Sequence, residues 1–147
     1  MDEKDRDIDV TIDRDFVARG ARGISEEDVR RAYERAGDIR RKFESGGPLS
    51  RFLDDAKLAL SVVRDYWRGE YRRIPWWALS ALVFALLYVV NPFDLIPDAI
   101  PGIGLLDDAL VMGIALRMVQ EELARYREWR AARDAGPEGA DAPGWPE

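Results

Sequence analysis

Four aspartates, Asp94, Asp98, Asp107 and Asp108, fall within fifteen residues of one another in an otherwise apolar stretch. Carboxylates in such surroundings are costly unless paired, solvated or bound to a cation. Oxygen ligands of this kind suit a hard cation, Mg²⁺ or Ca²⁺. Their spacing does not follow the alternate positions of an EF-hand loop. Two of them could also share a proton and do acid–base work. A structural use competes with both. Asp94 lies three residues after Asn91, where it can serve a capping box, and Asp107 and Asp108 open a helix whose dipole favours negative charge there. Arginines of a preceding helix can donate to the rest. The structural use is the expected one. Asp108, near the edge of the apolar seam that follows it, is the better placed for an inward partner, and Asp107 points more nearly away. No catalytic residue, metal or cofactor is assigned.

The wider composition narrows the chemistry further. The chain has no histidine and no cysteine, so thiolate zinc sites, cysteine nucleophiles and histidine bases are excluded. Its formal net charge of −6 argues against a general nucleic-acid binder. Gly102 and Gly104 form a lone pair without a phosphate-loop pattern. The acidic N-terminal stretch has no apolar region of the secretory type.

The acidic segment must be positioned by what flanks it. Before it, Ile74 to Val90 is a run of 17 residues without a charge. As a helix it is apolar all round and reaches roughly 26 Å, the short limit for a membrane span. Trp76, Trp77 and Tyr88 lie near its ends as interfacial aromatics would, and Arg64, Arg68, Arg72 and Arg73 precede it on what would be the cytoplasmic side. After it, Ala99 to Leu116 is apolar but carries Asp107 and Asp108. Each aspartate costs about 2.5–3.5 kcal/mol at a helix centre against about 0.3–0.6 returned per large apolar residue, so this segment does not insert alone. It could enter as the partner of the first, or as a re-entrant hairpin, since irregular backbone is tolerated when buried in protein.

The remaining elements follow from periodicity. Residues 1–24 read as a disordered acidic tail. Ser25 reads as an N-cap, and Val29, Ala32, Tyr33, Ala36, Ile39 and Phe43 make one stripe on a helix ending at Gly46-Gly47-Pro48. A second helix, about Leu49 to Arg73, has Phe52, Leu53, Ala56, Leu60, Val63 and Trp67 on its apolar face and Arg51, Asp54, Asp55, Arg64, Asp65 and Arg68 on its polar one. The last helix, about Leu105 to Ala132, carries a heptad-like seam of Leu105, Ala109, Met112, Leu116, Val119, Leu123 and Tyr126. Residues 134–147 read as a second disordered tail.

The segment from Tyr88 through Asn91-Pro92-Phe-Asp94-Leu-Ile-Pro97-Asp98, Ile100-Pro101, Gly104 and Leu106-Asp107-Asp108 resembles the hallmark of the YkvA-like family, a bacterial domain of unknown function. The resemblance implies a small, mostly helical, membrane-associated protein with no established activity. It marks Tyr88, Pro92, Pro97, Pro101 and Gly104 as structural positions beside the four aspartates. The expected architecture is all-α, with about four helices. Residues 25–73 form two amphipathic helices, and residues 74–133 form an apolar helical hairpin joined by a proline-rich acidic loop. The expected function is a non-catalytic membrane-associated module acting through protein partners, at a bacterial inner membrane with both termini cytoplasmic and a lipid bilayer as one partner. Two alternatives stay open: a soluble helical-bundle interaction protein, and a cation-dependent enzyme or transport accessory using the acidic loop.

Overall fold

The computed structural model describes residues 13–90 and 108–135. Among these residues the chain is all-helical, and its helices number seven, not about four. They are α1 (Arg14–Arg22), α2 (Glu26–Glu34), α3 (Ala36–Glu44), α4 (Leu53–Trp67), α5 (Trp76–Val90), α6 (Asp108–Met118) and α7 (Gln120–Asp134), with a short 3₁₀ helix at Gly47–Phe52 leading into α4.

The count rises for three physical reasons. Residues 14–22, read from sequence within a disordered tail, form α1 instead. Asp13 caps it by accepting from the Phe16 amide at 3.0 Å, and Phe16, Val17 and Ala21 give it a small buried face. The charges around those three residues hid so short an apolar face. The first expected helix divides at Arg35, whose φ/ψ of −101°/19° ends α2, and both halves then pack on α4 and α5. Ser25 caps α2 as expected, in a reciprocal capping box with Asp28.

The last expected helix divides at Val119 (φ −108°, ψ 16°). Unbroken, its 28 expected residues would run roughly 42 Å, far beyond the roughly 22 Å of α5. The break lets α6 stay on α5 and α1 while α7 leaves them for α4. The seam residues Ala109, Met112, Val119, Leu123 and Tyr126 are buried, whereas Leu116 is only half-buried.

The core is organised around α5. Every residue from Ala78 to Val89 is buried, and the helix packs against α1, α2, α3, α4 and α6. This corrects one expectation. At fifteen residues α5 is too short for a bilayer, and among the described residues no helix is long and apolar enough to cross a membrane. Helix α6, the expected hairpin partner, packs against α5 alongside four further helices. The connecting residues 91–107 lie outside the described residues, as do 1–12 and 136–147.

Contact between α1 and α5 depends on Gly20. A Cβ there would meet Phe84 Cε1 at 2.2 Å, and the Phe84 ring is itself buried and packed edge-on to Phe16 at 6.0 Å. Gly20→Ala gains up to about 1 kcal/mol of helix propensity. It also forces a close-packed ring to move, an overpacking cost of about 1–3 kcal/mol. The expected result is a net loss of stability, read as a lower urea midpoint with an unchanged slope. A rise in the midpoint would show that α1 is not seated on α5.

A tryptophan-rimmed groove and a buried ion pair

The polar groups that stand out form two places, and neither is the one that sequence favoured. Of the four aspartates, Asp94, Asp98 and Asp107 lie outside the described residues, as do Pro92, Pro97, Pro101 and Gly104. Asp108 opens α6, half-buried, with its Oδ1 shut off from solvent. Among the described residues no cluster of three or more acidic side chains could hold a metal. Tyr88 lies wholly inside the core, its ring edge-on to Phe16 at 6.0 Å. It does not serve as an interfacial aromatic.

The first place is an ion pair inside the bundle. Sequence periodicity assigned Arg64 and Asp65 to the polar face of their helix, yet they are 1% and 0% exposed. Helix α4 packs against α5 and α7 as well as α2 and α3, and its residues from Ala59 to Asp65 are all buried. Arg64 Nε donates to Asp65 Oδ1 at 2.9 Å, and Tyr126 Oη, from α7, donates to Asp65 Oδ2 at 2.5 Å. The Asp65 carbonyl accepts from the Glu70 and Tyr71 amides at 2.8 and 3.1 Å as the chain turns through Gly69, whose φ of 80° suits glycine. Asp65 therefore ties three things together: its own helix end, the turn after it, and α7. Tyr71 completes an aromatic cluster with Tyr126 and Trp129, at 5.0 and 4.9 Å between centroids.

Burial, and then the hydrogen bond and charge of Asp65, push the Tyr126 phenol well above its usual range. Burial raises Tyr71 in the same direction. The groups are placed to hold structure, since every strong acceptor of Asp65 is taken up inside the protein. A signal for this site existed in the sequence: Arg64-Asp65 is flanked by Val62, Val63, Tyr66 and Trp67, a spacing too apolar for a solvated face.

The second place is where α5 begins. The Pro75 carbonyl accepts from the Ala78 and Leu79 amides at 3.0 and 3.1 Å, which starts the helix and puts Trp76 and Trp77 in its first turn. These two rings are 42% and 51% exposed, although nearly every other large apolar side chain among the described residues is covered. They rim a groove of about 400 Å³ between α1, α5 and the end of α6. Ala18, Ala21 and Arg22 come from one face of α1, and Ser80 and Ala81 from the next turn of α5, with Met118 closing the end. The groove exists because its walls are alanines.

The arginines expected to flank a membrane span are largely engaged elsewhere. Arg64 is buried, Arg68 lies over the Tyr33 ring at 5.9 Å, and Arg72 lies over Tyr66 at 4.2 Å. A separate open cleft of about 690 Å³ beside Tyr71 and Trp129 holds Glu122 and Arg125, paired to each other at 2.5 Å.

Helices α5 and α6 and the residues between them are also what this chain shares with other proteins. Residues 78–114 match the family model described as a protein of unknown function, DUF1232. Over 69 residues the chain is 42% identical to a protein of Bacillus subtilis (strain 168) named uncharacterized membrane protein YkvA. That match covers 47% of this chain and 65% of the relative, a little under two thirds of its length. The YkvA-like resemblance read from sequence is shown over this segment. No solved structure matches the chain.

The buried phenol carries a prediction. A folded-state value above the ordinary 10.0 means the folded protein favours the neutral phenol. Stability is then intact below pH 10 and falls as pH rises beyond it, where only the unfolded chain releases its proton. Tyr126→Phe should cost about 1–3 kcal/mol at pH 7 by stripping Asp65 of a buried donor. The same change should flatten the alkaline decline. Urea titrations of parent and variant from pH 7 to 11 check both, and a parent profile flat to pH 11 would contradict the buried-phenol assignment.

Proposed function

We propose that this chain is a non-catalytic, membrane-associated helical module that works through protein partners. It meets the bilayer with the face around Trp76 and Trp77, not with a spanning helix. The observation that carries this reading is the pair of exposed indoles at one edge of a bundle whose other aromatic side chains, among the described residues, are buried wholly or in part. Tryptophan is amphipathic and favours the water–lipid boundary, where its ring enters the headgroup region and its N–H stays hydrated. Arg22 beside them supplies a cation facing the same way, and arginine is drawn to anionic lipid surfaces. The name of the Bacillus subtilis relative, a membrane protein, supports the same reading for this chain. A module resting on one leaflet keeps both ends of the chain on one side, in keeping with the cytoplasmic face of a bacterial inner membrane. The exposed ion-paired surfaces of α2 and α3, such as Arg30 with Glu34 at 2.8 Å, are left for water and protein partners.

Flotation with vesicles of phosphatidylcholine and phosphatidylglycerol tests this directly. The parent should float with the vesicles, be released by alkaline carbonate, and lose most of its binding in the Trp76→Ser/Trp77→Ser double variant. Retention after carbonate would restore a spanning helix, and binding unchanged in the double variant would remove the indoles from the account.

A further inference from the structure

We infer that the groove between α1, α5 and the end of α6 is a lipid site that takes one anionic phospholipid of the bilayer. The acyl chain lies against Ala18, Ala21, Ala81 and Met118, and the headgroup phosphate sits on Arg22. The inference rests on the membrane reading above and goes further, from a surface that touches lipid to a groove that seats one acyl chain of a single molecule.

Three independent observations point to an occupant. The groove, about 400 Å³, lies within the range of small-molecule sites and combines apolar walls with few polar groups. Its hydroxyl is anomalous. Ser80 is 1% exposed and its Oγ is buried with no hydrogen-bond partner among the described residues. Elsewhere in the fold the equivalent group is satisfied, as when Ser61 Oγ donates to the Lys57 carbonyl at 3.0 Å. A buried hydroxyl left unpaired destabilises the protein, whereas one facing a ligand oxygen does not. The third observation is charge. Arg22 lines the groove, is exposed, and forms no ion pair among the described residues, although the chain carries an excess of carboxylates. A phosphate at the rim matches that guanidinium, since arginine binds phosphate oxygens in pairs. Ser80 lines the same groove, and an ester oxygen of the glycerol backbone is the acceptor that its buried hydroxyl lacks. Trp76 and Trp77 stand at the groove's outer edge, where the headgroup region of the leaflet would lie.

The test uses the full chain and lysophosphatidylglycerol at concentrations where it is monomeric, followed by native mass spectrometry and calorimetry. One molecule should bind per chain, with lysophosphatidylcholine at least tenfold weaker. Ala18→Phe, at a half-buried wall position, should abolish binding. Arg22→Gln, at an exposed position where folding is not at risk, should erase the preference for the anionic headgroup. Ser80→Ala should do two opposite things: raise the melting temperature of the lipid-free protein and weaken binding severalfold. A purely structural serine would move neither in that combination.

Vesicle flotation of the parent, run alongside, separates this inference from the reading beneath it. Flotation without one-to-one binding overturns the groove and leaves the membrane reading standing. Binding without flotation supports the groove and overturns bilayer association. The absence of both overturns both, and equal binding of the two lysolipids overturns the role of Arg22.

Discussion

A helix with no charged residue on any face has to be enclosed, and this requirement shapes the rest of the molecule. Water on any side of α5 would leave leucine, valine or phenylalanine exposed, at about 25 cal/mol per Å² of apolar surface. The chain meets the requirement with its own helices: α1, α2, α3, α4 and α6 all pack against it. The positions of the helix breaks follow. Arg35 lets one apolar stripe wrap around α4 and α5, and Val119 turns the chain from α5 towards α4. Gly20 lets α1 approach closely enough to cover Phe84. The indoles are exposed because α5 begins at the edge of this enclosure, one residue after Pro75.

A second constraint lies beside the first. Burying Arg64 and Asp65 in α4 carries a desolvation cost that is offset only if each has partners. Asp65 obtains them from its neighbour, from α7 through Tyr126, and through its backbone from the turn at Gly69. This gives α7, a largely polar helix, a specific point of attachment that hydrophobic packing of Leu123 alone would not define. The aromatic cluster of Tyr71, Tyr126 and Trp129 then shields the pair from water.

The all-helical class, the Ser25 cap, the apolar stripe from Val29 to Phe43, and most of the seam from Ala109 to Tyr126 were legible in the sequence. Helical periodicity is local and survives into the fold. What was not legible depends on long-range packing. Apolarity on every face fits lipid or protein equally, so Ile74 to Val90 could not by itself distinguish a span from a core helix. Arg64 and Asp65 read as solvated because a periodic pattern assigns charge to the outside, and only the docking of α7 reveals the second covered face. α1 escaped because its three buried residues are too few to register as a stripe. The groove was invisible since alanines, a serine and an arginine from separate helices carry no signal until they meet. Trp76 and Trp77, read from sequence as interfacial aromatics, are exposed, whereas Tyr88, paired with them on position alone, belongs to the core.

These constraints separate two kinds of apolar surface that a hydropathy profile merges: α5 is enclosed by protein from Ala78 to Val89, and the two indoles at its start are exposed. Hydrogen exchange on the detergent-free protein tests that division most directly. The account predicts a chain monodisperse without detergent, in which the amides of Ala78 to Val89 are the most slowly exchanging of the molecule and open only with global unfolding. Rapid exchange across those residues until lipid or detergent is added would contradict it, and would return α5 to the bilayer.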